Sequence, residues 1–190
     1  SSAVNERGPL SKITFIHYRK NFAKPAPNAA KISTGSCYTY ISSSAKWKAP
    51  EDYIVNPTGS SLDNTFVAQT IDQGVAEWER YGGSGIFGTG TVDSAIPFIS
   101  SSADGKNTVT FGSYSDNNAI AVTYVWGYFS GPLTTREIIE WDMHFNTYYH
   151  FGDAATNGSA VMDLQEIATH ELGHSAGMGD LYSGSCSIQT

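Results

Sequence analysis

Residues 170–180, HELGHSAGMGD, constrain this chain more than any other stretch. On a helix, side chains four residues apart stack one turn above the other, so His170 and His174 project from one side with Glu171 just beside them. At about 100° per residue, Val161, Leu164, Ala168 and Leu172 form an apolar stripe roughly opposite the two imidazoles. The spacing predicts a helix over 160–176 that buries one face in a core and holds its histidines over a cleft. Gly177 predicts where it stops, because glycine readily takes the left-handed conformation that ends a helix and turns the chain back.

Neutral imidazole is a good zinc ligand, and two ligands from one rigid turn lose little entropy on binding. A catalytic zinc takes three protein ligands and keeps a fourth position open for water. The turn at Gly177 offers Asp180 as the third, since a carboxylate oxygen is an ordinary zinc ligand. The expected centre is therefore one zinc ion held by His170, His174 and Asp180, with Glu171 as the group that moves protons. A second possibility stays open at this point: Asp180 caps the loop and water fills the third position.

The rest of the chain supplies a scaffold for such a helix. Residues 64–81 place Val67, Ile71, Val75 and Trp78 on one helical stripe, with Asp63 or Asn64 as N-cap and Gly82-Gly83 as terminator. Strands are expected at 13–18, 52–57, 86–92, 107–112, 119–127 and 137–146, separated by clusters of Gly, Ser, Asp and Asn. Strands with one early and one late helix predict an α/β or α+β fold, helices packed on a sheet. The Pro/Ala/Ser-rich sequence before residue 50 reads as an N-terminal arm or wrapped extension, with the main domain at 51–190.

Composition narrows the partners. The formal net charge is −7 with no Lys/Arg cluster, which argues against nucleic acid and anionic membrane. No apolar run approaches the roughly 20 residues of a membrane helix. Charged residues are only 15% of the chain, a polar but weakly charged character common in secreted proteins, so the expectation is a secreted monomer. No leader is visible at Ser1. Cys37 and Cys186 fit either a long-range disulfide, the preferred reading, or two free thiols. His17 is read as structural.

With these residues in hand, the chain resembles the metzincin clan of zinc endopeptidases, whose motif is H-E-x-x-H-x-x-G-x-x-H. Asp180 in place of the third histidine resembles the snapalysin type. Over about 36–190 the chain is also similar to matrixin-like proteases, through "KW" before "YIVNP", then "AEWERY", "NTVTFG", "AIAVTYVWG" and "IIEWDMHFNT". The resemblance implies a twisted, mostly parallel sheet with one antiparallel edge strand, 119–127, along which a polypeptide substrate pairs by β-augmentation. It maps Glu171 onto the general base and His170, His174 and Asp180 onto the zinc ligands. A methionine turn follows the third ligand in that clan. Here Met178 lies inside the motif and the sequence ends at Thr190, so 51–190 is expected to lack its C-terminal part. Matrixins carry structural ions, calcium or a second zinc, but His144 and His150 are read as solvated surface. Cys37 as an inhibitory zinc thiolate is the lesser reading beside the disulfide. The function expected is a zinc-dependent endopeptidase. A zinc hydrolase of a non-protein amide and an inactive zinc-containing binding module are the alternatives.

Overall fold

The computed structural model describes residues 7–19, 38–82 and 85–180. A six-stranded sheet carries the fold: β1 (Leu10–Tyr18), β2 (Glu51–Val55), β3 (Phe87–Val92), β4 (Asn107–Gly112), β5 (Ala119–Tyr128) and β6 (Glu137–Asn146). Its order is β1-β5-β6-β4-β2-β3. The pairs β6–β4, β4–β2 and β2–β3 are parallel, while β5 runs antiparallel to both β6 and β1. A two-stranded parallel ribbon, β7 (Phe151–Gly152) with β8 (Met162–Asp163), lies beside the short helix α2 (Ala154–Asn157). The mixed α/β class with a mostly parallel sheet is thus as expected. No described helix is long and apolar enough to cross a membrane.

Two longer helices, α1 (Asn64–Gly82) and α3 (Leu164–Ser175), pack on each other and on the sheet, α1 by β3 and α3 over β5. The Asp63 carboxylate caps α1, accepting from the Phe66 amide at 3.0 Å. Val67 and Ile71 are fully buried, and Trp78 donates its indole N–H to the Thr169 carbonyl at 2.7 Å, tying α1 to α3. Glycine makes the close approach of the two helices possible. A Cβ on Gly173 would lie 2.6 Å from Trp78 Cζ2, and one on Gly74 would lie 2.8 Å from Leu172 Cδ1.

Strand alternation sorts the sheet's side chains. Trp141, Met143 and Phe145 of β6 face the helices in the main core with Val109, Phe111 and Val125. Their neighbours Asp142 and His144 face the other side, where Phe98 stacks on His144 at 4.1 Å and on Tyr124 at 5.7 Å between centroids.

Two expectations need correcting. The antiparallel strand β5 is not the edge: β1 pairs along it from Leu10 opposite Tyr128 to Tyr18 opposite Ala119 and is itself outermost. "ITFIHY" alternates in a way that suits any half-covered strand, so the sequence does not say which neighbour it takes. The late helix begins at Leu164 rather than 160, because the Asp163 carboxylate caps it by accepting from the Glu166 amide. Val161 therefore precedes the helix, and the buried stripe is Leu164, Ile167, Ala168 and Leu172.

Candidate metal centre

Helix α3 brings His170 and His174 to one side, as their spacing dictates, and its C-terminus delivers Asp180. The Gly177 amide donates to the His174 carbonyl at 2.9 Å and the Met178 amide to the Gly173 carbonyl at 2.8 Å. With Gly177 at φ +101°, this is the Schellman ending that a left-handed glycine permits. The loop then returns. Asp180 Oδ1 lies 3.5 Å from His170 Nε2 and 3.5 Å from His174 Nε2. All three ligand atoms fall within 4.8 Å of one another, so these residues could hold a metal ion.

The orientation of His174 is set from behind. Its Nδ1 lies 2.9 Å from the Met178 carbonyl, which can only accept, so Nδ1 carries the proton and Nε2 presents its lone pair to Asp180. Burial holds His174 below the ordinary imidazole range, against the opposing pull of Glu171, which favours the neutral ring a metal requires. A lone pair facing a carboxylate oxygen at 3.5 Å is an arrangement that a cation between them relieves. Tetrahedral zinc with bonds of about 2.0–2.2 Å sets its ligand atoms about 3.3–3.6 Å apart, and both His–Asp separations agree.

Glu171 is fully buried. Thr123 of β5 donates its hydroxyl to Oε2 at 2.5 Å. Oε1 has no well-formed hydrogen bond and faces His17 Nδ1 at 3.4 Å. Burial by itself would raise this carboxyl, but the contact with His17, the electrostatic influence of the nearby His174 and His170 and the Thr123 hydroxyl outweigh it and hold it below the usual range. His17, His170 and Glu171 form a second group of ligand-type atoms within 4.8 Å.

The N-terminal part of the chain participates throughout. Phe15 stacks on His174 with centroids 3.9 Å apart and planes at 6°, and His17 sits edge-on to His170 at 4.8 Å. Residues 39–41 pair with the ligand loop, the Ile41 amide donating to the Gly177 carbonyl and the Gly179 amide to the Thr39 carbonyl. Trp47 Nε1 donates to the Ser175 carbonyl at 2.8 Å. Beside His170 opens a cavity of about 690 Å³, lined by His17, Ile120, Met162, Glu166 and Ile167.

Thr123, Phe15, His17 and the 39–41 brace were missed as site residues, and no local signal announces them, because each reaches the centre through long-range pairing. His17, expected to be structural, places Nδ1 3.4 Å from Glu171 Oε1. His144 is buried rather than solvated, its Nδ1 2.8 Å from Thr110 Oγ1, and burial holds its pKa below the usual range. His150 is exposed. Neither joins a group of three potential ligands among the described residues. Cys37 and Cys186, with the disulfide proposed between them, lie outside the described residues. Set against known proteins, the chain matches no protein family and no curated relative.

Proposed function

We propose that this protein is a zinc-dependent endopeptidase of metzincin character that hydrolyses internal bonds of an extended polypeptide, with Glu171 as general base. The observation that carries the reading is the convergence of His170 Nε2, His174 Nε2 and Asp180 Oδ1 beside a buried glutamate on the same helix. Zinc held by His170, His174 and Asp180 would supply Lewis acidity for a carbonyl and an attacking water. The chain's own residues do the rest. The Thr123 hydroxyl occupies Oε2, which leaves Oε1 as the basic oxygen. Glu171 takes the attacking water's proton there and delivers it to the leaving amine. Met178 keeps the His174 ring in the ligating tautomer. Asp180 brings one more negative charge than histidine would, which softens the Lewis acid and places more of the work on Glu171.

Digestion of casein by zinc-loaded protein, with and without chelator, tests this. Chelation should abolish hydrolysis, and Glu171→Gln should lower it by orders of magnitude while zinc stays bound. Undiminished cleavage by zinc-loaded Glu171→Gln refutes the assignment of the base. A second reading, hydrolysis of a small non-protein amide, is favoured by the cavity beside His170, whose 690 Å³ lies within the range of small-molecule pockets. Turnover of small amides with none of casein would select it.

A further inference from the structure

Resting on that reading, we propose that β1 is an intramolecular strap. It occupies the docking edge of β5 and covers Glu171, so this arrangement is a latent form and an extended peptide docks only when β1 leaves.

Three observations carry it. First, β1 takes the whole outer edge of β5, antiparallel and in register from Leu10–Tyr128 to Ile16–Val122, the way an added peptide strand pairs with a sheet edge. Second, its inward side chains sit on the chemistry. Phe15, opposite Thr123 in the register, lies flat on the His174 ring, and His17 places Nδ1 3.4 Å from Oε1 of Glu171. That oxygen is the one Thr123 leaves for the attacking water, so His17 stands where the water must be. Third, β1 lies outside the buried sheet. None of its nine residues is buried, whereas nine of the ten in β5 are. Two contacts tie it at the rim: Arg7, just before β1, pairs with Glu137 and lies over the Tyr128 ring, and Lys12 Nζ reaches the Ser100 carbonyl at 2.7 Å. An outermost strand with no buried residue that covers the reactive groups can leave without unfolding the sheet behind it. While tethered, it competes with substrate at an effective concentration on the order of millimolar.

The test uses the full chain in three forms: parent, Phe15→Ala/His17→Ala, and Arg7→Glu. The last changes only an exposed rim anchor, so it keeps the question open should the double variant misfold. The first readout needs neither zinc nor activity. A labelled synthetic peptide with the sequence of residues 8–19 is titrated onto each form, and hydrogen exchange of the 119–128 amides is followed by mass spectrometry. Both variants should bind the peptide at least tenfold more tightly than the parent. Their β5 amides should exchange faster until the peptide is added. The second readout is casein hydrolysis by the zinc-loaded forms, expected to rise at least tenfold in the variants. Equal peptide binding by all forms, with β5 equally protected, overturns the strap and makes β1 a permanent strand. Chelator-sensitive hydrolysis as fast in the parent as in the variants also overturns it, but leaves the endopeptidase reading standing. Gain of peptide binding with no hydrolysis in any form upholds the strap as a docked strand and refutes the endopeptidase, leaving a metal-containing peptide-binding module.

Discussion

Asp142 is an acid whose protonated form the fold favours. It lies on β6, only 2% exposed, with Thr108 Oγ1 donating to Oδ1 at 2.5 Å and Oδ2 buried without a well-formed hydrogen bond. Burial raises its pKa, the Thr108 hydroxyl draws it down, the Glu140 carboxylate pushes it up again, and it ends at about 7. In the unfolded chain an aspartate titrates at about 3.9. Between about pH 4 and pH 7 the folded chain therefore binds a proton that the unfolded chain lacks. Stability is undiminished below about pH 4 and falls as pH rises through that window, by about 1.4 kcal/mol per unit, reaching about 4 kcal/mol above pH 7. Asp142→Asn removes the titration and keeps an oxygen for Thr108, at a loss of about 1 kcal/mol in hydrogen bonding. The variant should match the parent near pH 5, where about 1.5 kcal/mol has been lost, and exceed it by about 3 kcal/mol at pH 8. Urea unfolding at the two pH values, with metal content held fixed because a bound ion adds its own stabilisation, measures the difference. With a urea slope of about 2 kcal/mol/M, the midpoint should rise by more than about 1 M at pH 8 and hardly move at pH 5. An equal loss of stability at both pH values refutes the reasoning, since it means the folded chain stabilises the carboxylate.

Two further outcomes test the centre and its support. Asp180→Ala should weaken zinc affinity by more than the roughly 10–100-fold typical of losing a residue behind the ligands, measured by competition with a chelator of known affinity. Affinity equal to the parent's means that Asp180 only closes the loop. Gly173→Ala normally gains about 1 kcal/mol in helix propensity. Here its Cβ meets the rigid Trp78 ring at 2.6 Å, and overpacking of about 1–3 kcal/mol makes the net effect a loss of up to about 2 kcal/mol. A rise in thermal midpoint on this substitution contradicts the packing seen between α1 and α3.

What the sequence determined by itself is local. The pairing of His170 with His174 follows from helical period, the turn at Gly177 from its freedom at positive φ, and the start of α1 from the side-chain oxygen of Asp63. Each depends on only a few neighbouring residues, which is why the order of amino acids suffices to read it. The return of Asp180 was legible as a possibility, and the loop brings its Oδ1 to 3.5 Å from the Nε2 atoms of both His170 and His174. Tertiary structure alone decided what surrounds the motif. Thr123 reaches Glu171 across 48 residues, and Trp47 meets Ser175 across 128, through strand pairing that no short-range pattern encodes. Likewise "ITFIHY" announces a strand through its alternation, yet alternation is the same whatever the neighbour. Only the assembled sheet puts β1 on the edge of β5 and His17 on the glutamate, because the choice between edges is made by side-chain packing against α3 and not by the strand's own sequence.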